Sequence, residues 1–360
     1  MKKILFCAAL LMGTLVFTAC SDDDNNGAPE MVTVTNGLFI LNEGSYYSHI
    51  DGSLSYLDYS TQELTNGVFA AKNGRSLGGT PNDAIIYGTK MYIASTDEGR
   101  VEVIDATTLE SLDYTPLTQP RKLVGEGGYV YVTSYEGTVS RIDTTTYEIV
   151  ETSEVIGANL EGITALNGFL YVCNAWNNDY TYNTNVVKLD AATLDKVSDI
   201  TVVTNPTRIL NDGTNVYVQS TGDYGEVVPT IQKIDANDEV TTLCNGLYMA
   251  LYNGKLYHVP TTTDANYVTL GAYEIYDLAT GENTTFTEGD EIFSPAGIAV
   301  DPNTGIVYIS SFRESVYGGV DYSGACYVVA YNSDGTMLQQ YEAGVNPSTF
   351  VFQTSSHRKE

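Results

Sequence analysis

The stretch PRKLVGEGGYVYVTSYEGTVSRIDTTT, from Pro120 to Thr146, contains three short strand patterns separated by turn residues. Pro120 leads the first pattern, the triplet Val130-Tyr131-Val132 forms the second, and the third ends in the pair Ile142-Asp143. Short runs rich in Val, Ile and Tyr, bounded by clusters of Gly or Thr, are typical of β-strands in antiparallel sheets. The stretch therefore predicts three strands of one small sheet.

The middle triplet recurs along the chain at intervals of roughly 40 to 50 residues. Short strands with this period, and no helical periodicity between them, are typical of propeller blades of about four strands each. The sequence therefore predicts an all-β fold, a seven-bladed β-propeller. The seven triplets are Leu38-Phe39-Ile40, Met91-Tyr92-Ile93, Val130-Tyr131-Val132, Leu170-Tyr171-Val172, Val216-Tyr217-Val218, Leu256-Tyr257-His258 and Val307-Tyr308-Ile309.

Each triplet is followed by a strand that ends in an apolar residue and an aspartate, or an asparagine in the last repeat. An Asp at such a place accepts hydrogen bonds from backbone N–H groups and closes a turn. This structural role accounts for the whole set, so none of its members is interpreted as catalytic. The set is Asp58, Asp105, Asp143, Asp190, Asp235, Asp277 and Asn332.

The first repeat lacks the strand that precedes the triplet in the other repeats, and a matching strand stands at the other end of the chain, at 346–352. The propeller is therefore expected to be closed by pairing of its N- and C-terminal strands, which removes free sheet edges. The predicted organisation is a single propeller domain over 36–353 followed by a polar tail over 354–360.

The N-terminal residues have the pattern of an export signal. Lys2 and Lys3 precede an apolar run that is too short to cross a bilayer and that ends in small residues before Cys20. We expect a lipoprotein signal peptide over 1–19, lipidation at Cys20 and an acidic tether over 20–35; an ordinary secretory signal is the alternative. The acidic run after Cys20 resembles the signal that exports lipoproteins to the outer surface of the outer membrane, and a plain charged spacer is the alternative reading.

The formal net charge is −28, with 45 acidic and 17 basic residues. Nucleic acid and anionic membrane surfaces bind basic patches, so neither is an expected partner of this acidic chain. The lipid at Cys20 would be the sole membrane attachment. After the signal and the lipidated cysteine, Cys173, Cys244 and Cys326 remain. We expect them to be small buried hydrophobic residues, with at most one bridged pair.

The loops that follow the second strand of each blade are expected to share one face with the starts of the first strands. Several of these loops are long and rich in Tyr, Trp, Asn and Ser, a composition typical of binding surfaces. The alternatives are that each Tyr belongs to the core and that Arg121 and Arg208 pair with the acidic surface. The candidate ligand-binding residues are Tyr46, Tyr47, His49, Asp83, Arg121, Tyr135, Trp176, Tyr180, Arg208, Tyr224, Tyr248, Tyr267, Phe312, Arg313 and Tyr317.

Catalytic patterns are weak in this chain. His49, His258 and His357 lie in unrelated positions, and no G-x-S-x-G motif is present. The alternative is a metal-dependent, lactonase-like hydrolase that uses Asp83, Glu161 and Asn205. We expect a binding protein that has neither enzymatic activity nor a resident metal or cofactor.

From Gly37 to Phe352 the chain resembles the YncE-like propeller family, through the repeated Y-V strands, the I-D turns, GLFILNEGS at 37–45 and GSLSY at 52–56. The resemblance is strongest to surface lipoproteins that capture cobalamin (vitamin B12) beside a TonB-dependent outer-membrane transporter. It implies that cobalamin or a related corrinoid is a transported ligand and that such a transporter is the partner. A propeller that binds a glycan or a peptide is the alternative, because fold alone does not identify a ligand.

Overall fold

The computed structural model describes residues 31–264 and 268–359. The unit Thr33–Ser355 contains the sheets, and the described residues 31–32 and 356–359, which belong to a second unit, continue the first and last strands. Within the described residues the chain forms 31 strands and one short helix, Val68–Asn73. The all-β prediction is confirmed. No helix in this described part has the length and apolar character needed to cross a membrane.

Seven antiparallel sheets of four main strands account for most of the described residues, and we number them in chain order. In sheets 2 to 5 the four strands are consecutive in the sequence, and in sheets 6 and 7 short strands lie between the second and the third. Sheet 1 combines three early strands with the last one, in the order third, second, first, last.

Sheet 1 contains Met31–Asn42, Ser53–Asp58, Glu63–Thr65 and Pro347–Arg358; sheet 2 contains Pro81–Tyr87, Lys90–Ser95, Arg100–Asp105 and Ser111–Pro116; sheet 3 contains Pro120–Glu126, Tyr129–Ser134, Val139–Asp143 and Ile149–Thr152; sheet 4 contains Asn159–Leu166, Phe169–Trp176, Tyr182–Asp190 and Lys196–Thr201. Sheet 5 contains Pro206–Asn211, Val216–Ser220, Thr230–Ile234 and Val240–Asn245; sheet 6 contains Leu247–Tyr252, Lys255–Val259, Tyr273–Asp277 and Asn283–Thr287; sheet 7 contains Ser294–Val300, Val307–Glu314, Tyr327–Tyr331 and Met337–Glu342. Three short strands complete the set: Thr262–Thr263 pairs with Thr269–Leu270, and Val320–Asp321 pairs with the second strand of sheet 7.

The predicted triplets lie in the second strand of sheets 2 to 7 and in the strand Met31–Asn42 of sheet 1. They are buried on both faces of their sheets. Tyr92 and Val132, for example, are fully buried and belong to one apolar cluster between sheets 2 and 3. Comparable clusters lie between every other pair of successive sheets, and one joins Leu38 of sheet 1 to Tyr308 of sheet 7. Burial on two faces explains why these strands have no polar alternation.

Five turns before the outermost strand share one geometry. In each, the carbonyl of an aspartate accepts the N–H of the fourth residue after it at 2.8–2.9 Å, and that fourth residue has a positive φ. The carboxylate accepts the N–H two residues on. The structural role predicted for these side chains is confirmed, and Asp235 has a related turn. The five aspartates are Asp58, Asp105, Asp143, Asp190 and Asp277, and their closing residues are Gln62, Leu109, Tyr147, Leu194 and Gly281.

A second repeated feature lies at the start of the first strands. The residue before the leading proline has a left-handed φ in four sheets: 48° at Thr80, 45° at Gln119, 61° at Asn205 and 56° at Asn346. Because the ring of the proline fixes the next φ, this pair of residues sets the direction in which each first strand leaves its loop. The proline pattern predicted the strands but not this backbone conformation.

The structure extends the sheets beyond the predicted domain boundaries. The strand Met31–Asn42 begins inside the predicted tether, and Pro347–Arg358 continues through most of the predicted polar tail. The extension at 31–36 has alternating Val and Thr residues that are typical of a strand and that the tether prediction did not use, whereas the extension at 354–358 is exposed and polar. The three remaining cysteines are free thiols; Cys173 and Cys326 are buried as expected, and Cys244 is half-buried. Cys20 lies outside the described residues.

Candidate functional site

The site is built around a small polar cavity at the starts of the first strands of sheets 2 to 6. This polar basin has a volume of about 280 Å³. It shares Lys122, Thr207 and Arg208 with a second cavity of about 460 Å³, the inner cavity, whose walls are the first strands themselves. The basin is lined by Glu43, Asn82, Arg121, Lys122, Glu161, Thr207, Arg208, Gln219, Thr221, Tyr224, Leu247 and Tyr248.

An ion pair between sheets 3 and 4 forms one wall of the basin. The Arg121 guanidinium donates to both carboxylate oxygens of Glu161 at 2.9 and 3.1 Å, and both side chains are almost buried. The Tyr135 hydroxyl also donates to Glu161, and its ring lies 4.3 Å from the guanidinium carbon. Burial alone would lower the pKa of Arg121, but the combined effect of Glu161, Tyr135 and Glu43 outweighs it and raises that pKa. Arg121 is therefore a permanent cation held in one orientation.

A second pair of opposite charges lies between the basin and the inner cavity. The Lys122 ammonium donates to the Asn82 carbonyl at 2.7 Å, and the Asp83 carboxylate accepts the N–H of Leu123 at 2.8 Å. Burial raises the pKa of Asp83 and lowers the pKa of Lys122, and the attraction between the two groups opposes both changes. The two charges thus compensate each other within the protein.

Arg208 and Tyr248 form the opposite wall. The Arg208 guanidinium carbon lies 4.3 Å from the centroid of the Tyr248 ring, which is a cation–π distance. Tyr248 itself has a left-handed backbone, with a φ of 46°, and sits where the register of the first strand of sheet 6 shifts. Such shifts reorient side chains at sheet ends, and here the shift directs the tyrosine toward sheet 5.

An exposed group of aromatic side chains, the aromatic shelf, continues from the basin along sheets 4 and 5. Trp176 and Tyr180 are stacked, with ring centroids 5.8 Å apart and an interplanar angle of 10°, and Trp176 also meets the edge of Tyr135 at 5.7 Å. Tyr182 contacts Tyr224 at 6.0 Å. Tyr180 and Tyr224 are 79% and 78% exposed, which is unusual for large rings without a partner surface.

The loop between the second and third strands of sheet 4 positions this shelf. Trp176 and Tyr182 are paired residues at the end of the hairpin, and the N–H of Asn177 donates to the Thr181 carbonyl at 2.8 Å. Asp179 accepts the hydroxyl and the N–H of Thr181 and so stabilises the turn. The Tyr180 backbone is left-handed at a φ of 64°, which places its ring over Trp176.

A separate groove of about 520 Å³ lies between the loops of sheets 1 and 7 and is lined in part by Tyr46, Tyr47 and Phe312. Phe312 is nearly buried and packs edge-on against Tyr322. His49 is exposed at the tip of the same sheet 1 loop and does not line the groove.

The structure thus divides the fifteen candidate residues among several places. Seven belong to the basin and shelf: Arg121, Tyr135, Trp176, Tyr180, Arg208, Tyr224 and Tyr248. Asp83 lines the inner cavity, and Tyr46, Tyr47 and Phe312 line the separate groove. His49 and Tyr317 stand exposed, and Tyr267 lies outside the described residues. Arg313 pairs with Glu342 at 2.6 Å, stacks on Tyr327 and lines neither the basin nor the groove.

Eight residues that line the basin were not among the fifteen candidates: Glu43, Asn82, Lys122, Glu161, Thr207, Gln219, Thr221 and Leu247. Gln219 directly follows the triplet of sheet 5, where the other repeats have residues such as Ala94, Thr133 and Ser310. A long amide at a position otherwise occupied by small or apolar residues was a signal in the sequence. Its side chain approaches the hydroxyls of Thr207 and Thr221 at 3.4 Å each.

The three residues of the lactonase-like alternative do not form an obvious metal site. The Glu161 carboxylate is occupied by Arg121 and Tyr135, and Asp83 is balanced by Lys122. A divalent ion would have to displace these internal cations. Within the described ranges 31–264 and 268–359, no group of three His, Cys, Asp or Glu side chains could hold a metal ion.

Solved structures of distant proteins share the fold. A quinonprotein alcohol dehydrogenase-like protein from Bacteroides thetaiotaomicron is 17% identical with a TM-score of 0.65, over 88% of this chain and 78% of that one. Hydrazine synthase from Kuenenia stuttgartiensis is 14% identical with a TM-score of 0.54, over 72% and 86% of the two chains. The computationally designed Ika8 protein is 12% identical with a TM-score of 0.52, over 87% and 82%. At these identities the likeness shows the fold alone, a β-propeller.

No match was found among curated proteins. One family model, described as "Domain of unknown function (DUF5074)", matches residues 36–353. The chain therefore belongs to the DUF5074 family.

Proposed function

We propose that this protein is a non-enzymatic capture protein that binds cobalamin or a related corrinoid at the polar basin and aromatic shelf. The observation that carries the proposal is the shelf: Tyr180 and Tyr224 present mostly exposed rings, and the partly exposed rings of Trp176 and Tyr182 pack against them, beside a basin of fixed polar groups. Exposed aromatic surface of this kind on a rigid fold is characteristic of ligand recognition.

The chemistry of a corrinoid suits this arrangement. Its macrocycle has broad apolar faces, and its periphery carries amides. The rings of the shelf offer flat apolar area, and the basin offers carboxylates and amides such as Glu43 and Gln219 that hydrogen-bond to amide groups. A basin of about 280 Å³ is below the usual range for a whole drug-sized ligand, so the macrocycle is expected to lie across its mouth, with one substituent inside.

The rigidity of the frame supports capture. We infer that the seven sheets are the blades of one ring, closed where Met31–Asn42 and Pro347–Arg358 are neighbours in sheet 1. The apolar cluster between sheets 7 and 1 supports this inference. A closed ring of sheets holds its loops in place before the ligand arrives, which reduces the entropy lost on binding.

The cellular setting in the proposal is the outer surface of the outer membrane, with the chain anchored by lipid on Cys20 and the acidic tether behind it. The resemblance to YncE-like lipoproteins supports delivery of the corrinoid to a TonB-dependent outer-membrane transporter. Delivery is tested by deleting the gene and measuring corrinoid-dependent growth. Rescue by the natural sequence, but not by the Trp176→Ala/Tyr180→Ala double variant, is the expected result.

Binding is tested directly with cyanocobalamin, whose visible absorption reports its position in gel filtration. The purified protein is expected to co-elute with the chromophore, and the Trp176→Ala/Tyr180→Ala variant to lose most of it. Tyr114→Ala is the matched control, because Tyr114 is an exposed tyrosine on the outermost strand of sheet 2. Free elution of cyanocobalamin at micromolar protein would overturn the ligand, and binding of a glycan in its place would reassign the site.

A further inference from the structure

Arg208 differs from the other arginines of the sheet unit in having no acidic partner. Within the described residues of Thr33–Ser355, every other arginine has a carboxylate oxygen within 4.0 Å: Arg75, Arg100, Arg121, Arg141 and Arg313. Arg208 makes no ion pair and donates no hydrogen bond within this described part of the chain. Asp83, which lines the inner cavity together with Arg208, acts on it only from beyond ion-pair distance.

The Arg208 guanidinium is nevertheless held in place. It is half-buried, lines both the basin and the inner cavity, and has one face covered by the Tyr248 ring. Stacking on a ring uses the face of a guanidinium and leaves the N–H groups at its edge free to donate. A planar set of donors with fixed orientation matches the oxygens of a carboxylate or a phosphate, which bind two at a time.

The other charges around the basin are already matched. Arg121 is paired with Glu161, and Lys122 faces Asp83. Glu43 accepts a hydrogen bond from Asn346 at 3.2 Å, and its charge acts on Arg121 and Lys122. Arg208 is therefore the cation of the basin whose guanidinium makes no direct ion pair or hydrogen bond within the described residues, and Glu43 remains an acceptor for amide N–H groups.

The backbone at Tyr248 supports a role beyond packing. A left-handed φ is costly for a tyrosine and persists where the surrounding structure requires it, often at ligand sites. In sheets 1, 2, 3 and 5 the positive φ falls on the residue before a proline, and sheet 6 has no such proline. In sheet 6 the conformation falls on Tyr248 itself, whose ring then covers Arg208.

We propose that Arg208, stacked on Tyr248, is an oxyanion subsite of the basin that binds a phosphate or carboxylate group of the ligand. The subsite rests on the proposed function in taking the basin as the place where the ligand binds. For a cobalamin, the group with this chemistry is the phosphodiester of the nucleotide loop. Cobinamide has the same macrocycle and amides but lacks the phosphodiester and the nucleotide.

The first test compares these two corrinoids by calorimetry on the purified protein. Arg208→Gln is expected to weaken cobalamin binding at least tenfold and to change cobinamide binding less than twofold. Arg208→Lys keeps the charge but loses the planar donor set, so it is expected to fall between. Lys196→Gln is the control, because it removes one positive charge from a surface pair with Asp199 away from the basin. An equal loss for both corrinoids, or no loss for cobalamin, would overturn the subsite.

The second test does not depend on corrinoid binding. The side-chain Nε–H signal of Arg208, identified by its absence in Arg208→Gln, is followed by NMR during titration with inorganic phosphate and, separately, acetate. A saturable shift supports the subsite even if cobalamin fails to bind, and the anion that causes it distinguishes phosphate from carboxylate. If neither anion moves the signal, the subsite is refuted, whatever the outcome for cobalamin.

Discussion

The outer turns and the loops around the basin both contain residues with left-handed backbones, but they accommodate them differently. In the outer turns the strained residue closes a repeated hydrogen-bonded loop behind an aspartate, as Leu109 does behind Asp105. Around the basin and shelf, three tyrosines have left-handed backbones: Tyr180 and Tyr224 in loops and Tyr248 in the first strand of sheet 6. The first group forms a repeated structural turn, whereas the second directs aromatic rings toward a surface where a ligand can cover them.

This contrast separates residues that maintain the fold from residues that are available for binding. An outer turn compensates for its strain locally, through carboxylate and carbonyl hydrogen bonds. The turns that contain Tyr180 and Tyr224 also have carboxylate hydrogen bonds, to Asp179 and Asp223, but the two rings are mostly exposed and gain little from burial in the free protein. The Arg121–Glu161 ion pair near these rings has a different role, because its buried charges form a wall of the basin.

The largest expected effect comes from breaking the Arg121–Glu161 pair. Glu161→Ala leaves Arg121 nearly buried without a counter-charge, and we expect the free energy of unfolding to fall by about 3 to 5 kcal/mol. Denaturant unfolding measures this change. Glu161→Gln keeps the size and one acceptor, so its loss is expected to be smaller. A loss below about 1 kcal/mol for Glu161→Ala would show that the pair is not a structural part of the basin wall.

Acid is expected to weaken the outer turns together. Hydrogen bonds from the N–H groups of Thr108 and Thr107 hold the pKa of Asp105 below its ordinary value, and similar bonds lower the pKa of Asp58, Asp143, Asp235 and Asp277. Because the folded pKa is the lower one, each carboxylate stabilises the fold above the unfolded value of about 3.9 and loses this contribution as the pH falls through the folded pKa.

This acid effect is measured as the free energy of unfolding from about pH 6 to about pH 2. The Asp105→Asn variant lacks one of the titrating groups and is expected to lose stability less steeply below about pH 4. Identical slopes for the variant and the natural protein would contradict the assignment. Burial raises the pKa of Asp83, so protonation of this group increases the free energy of unfolding as the pH falls.

Much of this frame could be predicted from the sequence, because its signals are local. The Val130-Tyr131-Val132 triplet identifies a strand buried on both faces, and Asp105 marks its own turn within a few residues. The pairing of Arg121 with Glu161 could not be read in the same way, since it joins first strands of neighbouring sheets about 40 residues apart.

Two further features were not predicted. The strand ends at 31–36 and 354–358 lie outside the repeats and were interpreted as a tether and a tail, although Val32 and Val34 alternate with threonines as in a strand. No proline or glycine at Tyr248 indicates its left-handed φ in the sequence. The contact between Tyr248 and Arg208 depends on this backbone conformation. The composition of the loops predicted the shelf residues Trp176, Tyr180 and Tyr224, but it did not predict which side chains they contact.

Disrupting a single outer turn is expected to lower the free energy of unfolding less than breaking the buried ion pair does. Asp105→Ala removes the acceptor of two backbone N–H groups, and by analogy with lost helix caps we expect the free energy of unfolding to fall by about 1 kcal/mol. Asp105→Asn retains a side-chain oxygen and is expected to lose less. Denaturant unfolding of both variants provides the measurement, and an unchanged midpoint for Asp105→Ala would show that the Thr107 and Thr108 N–H groups find equivalent partners in water.

The smallest expected change tests the comparison most directly, because stability and binding should move in opposite directions. Tyr224→Gly relieves a left-handed backbone at a mostly exposed ring, so we expect the free energy of unfolding to rise by about 0.5 kcal/mol while ligand affinity falls. Gly281→Ala is the matched change in an outer turn: it places a Cβ on a φ of 76° and should lower stability by about 1 kcal/mol with affinity unchanged. If Tyr224→Gly lowered stability as well, the contact with Tyr182 would outweigh the backbone strain, and the ring would belong to the structural frame rather than to a surface reserved for the ligand.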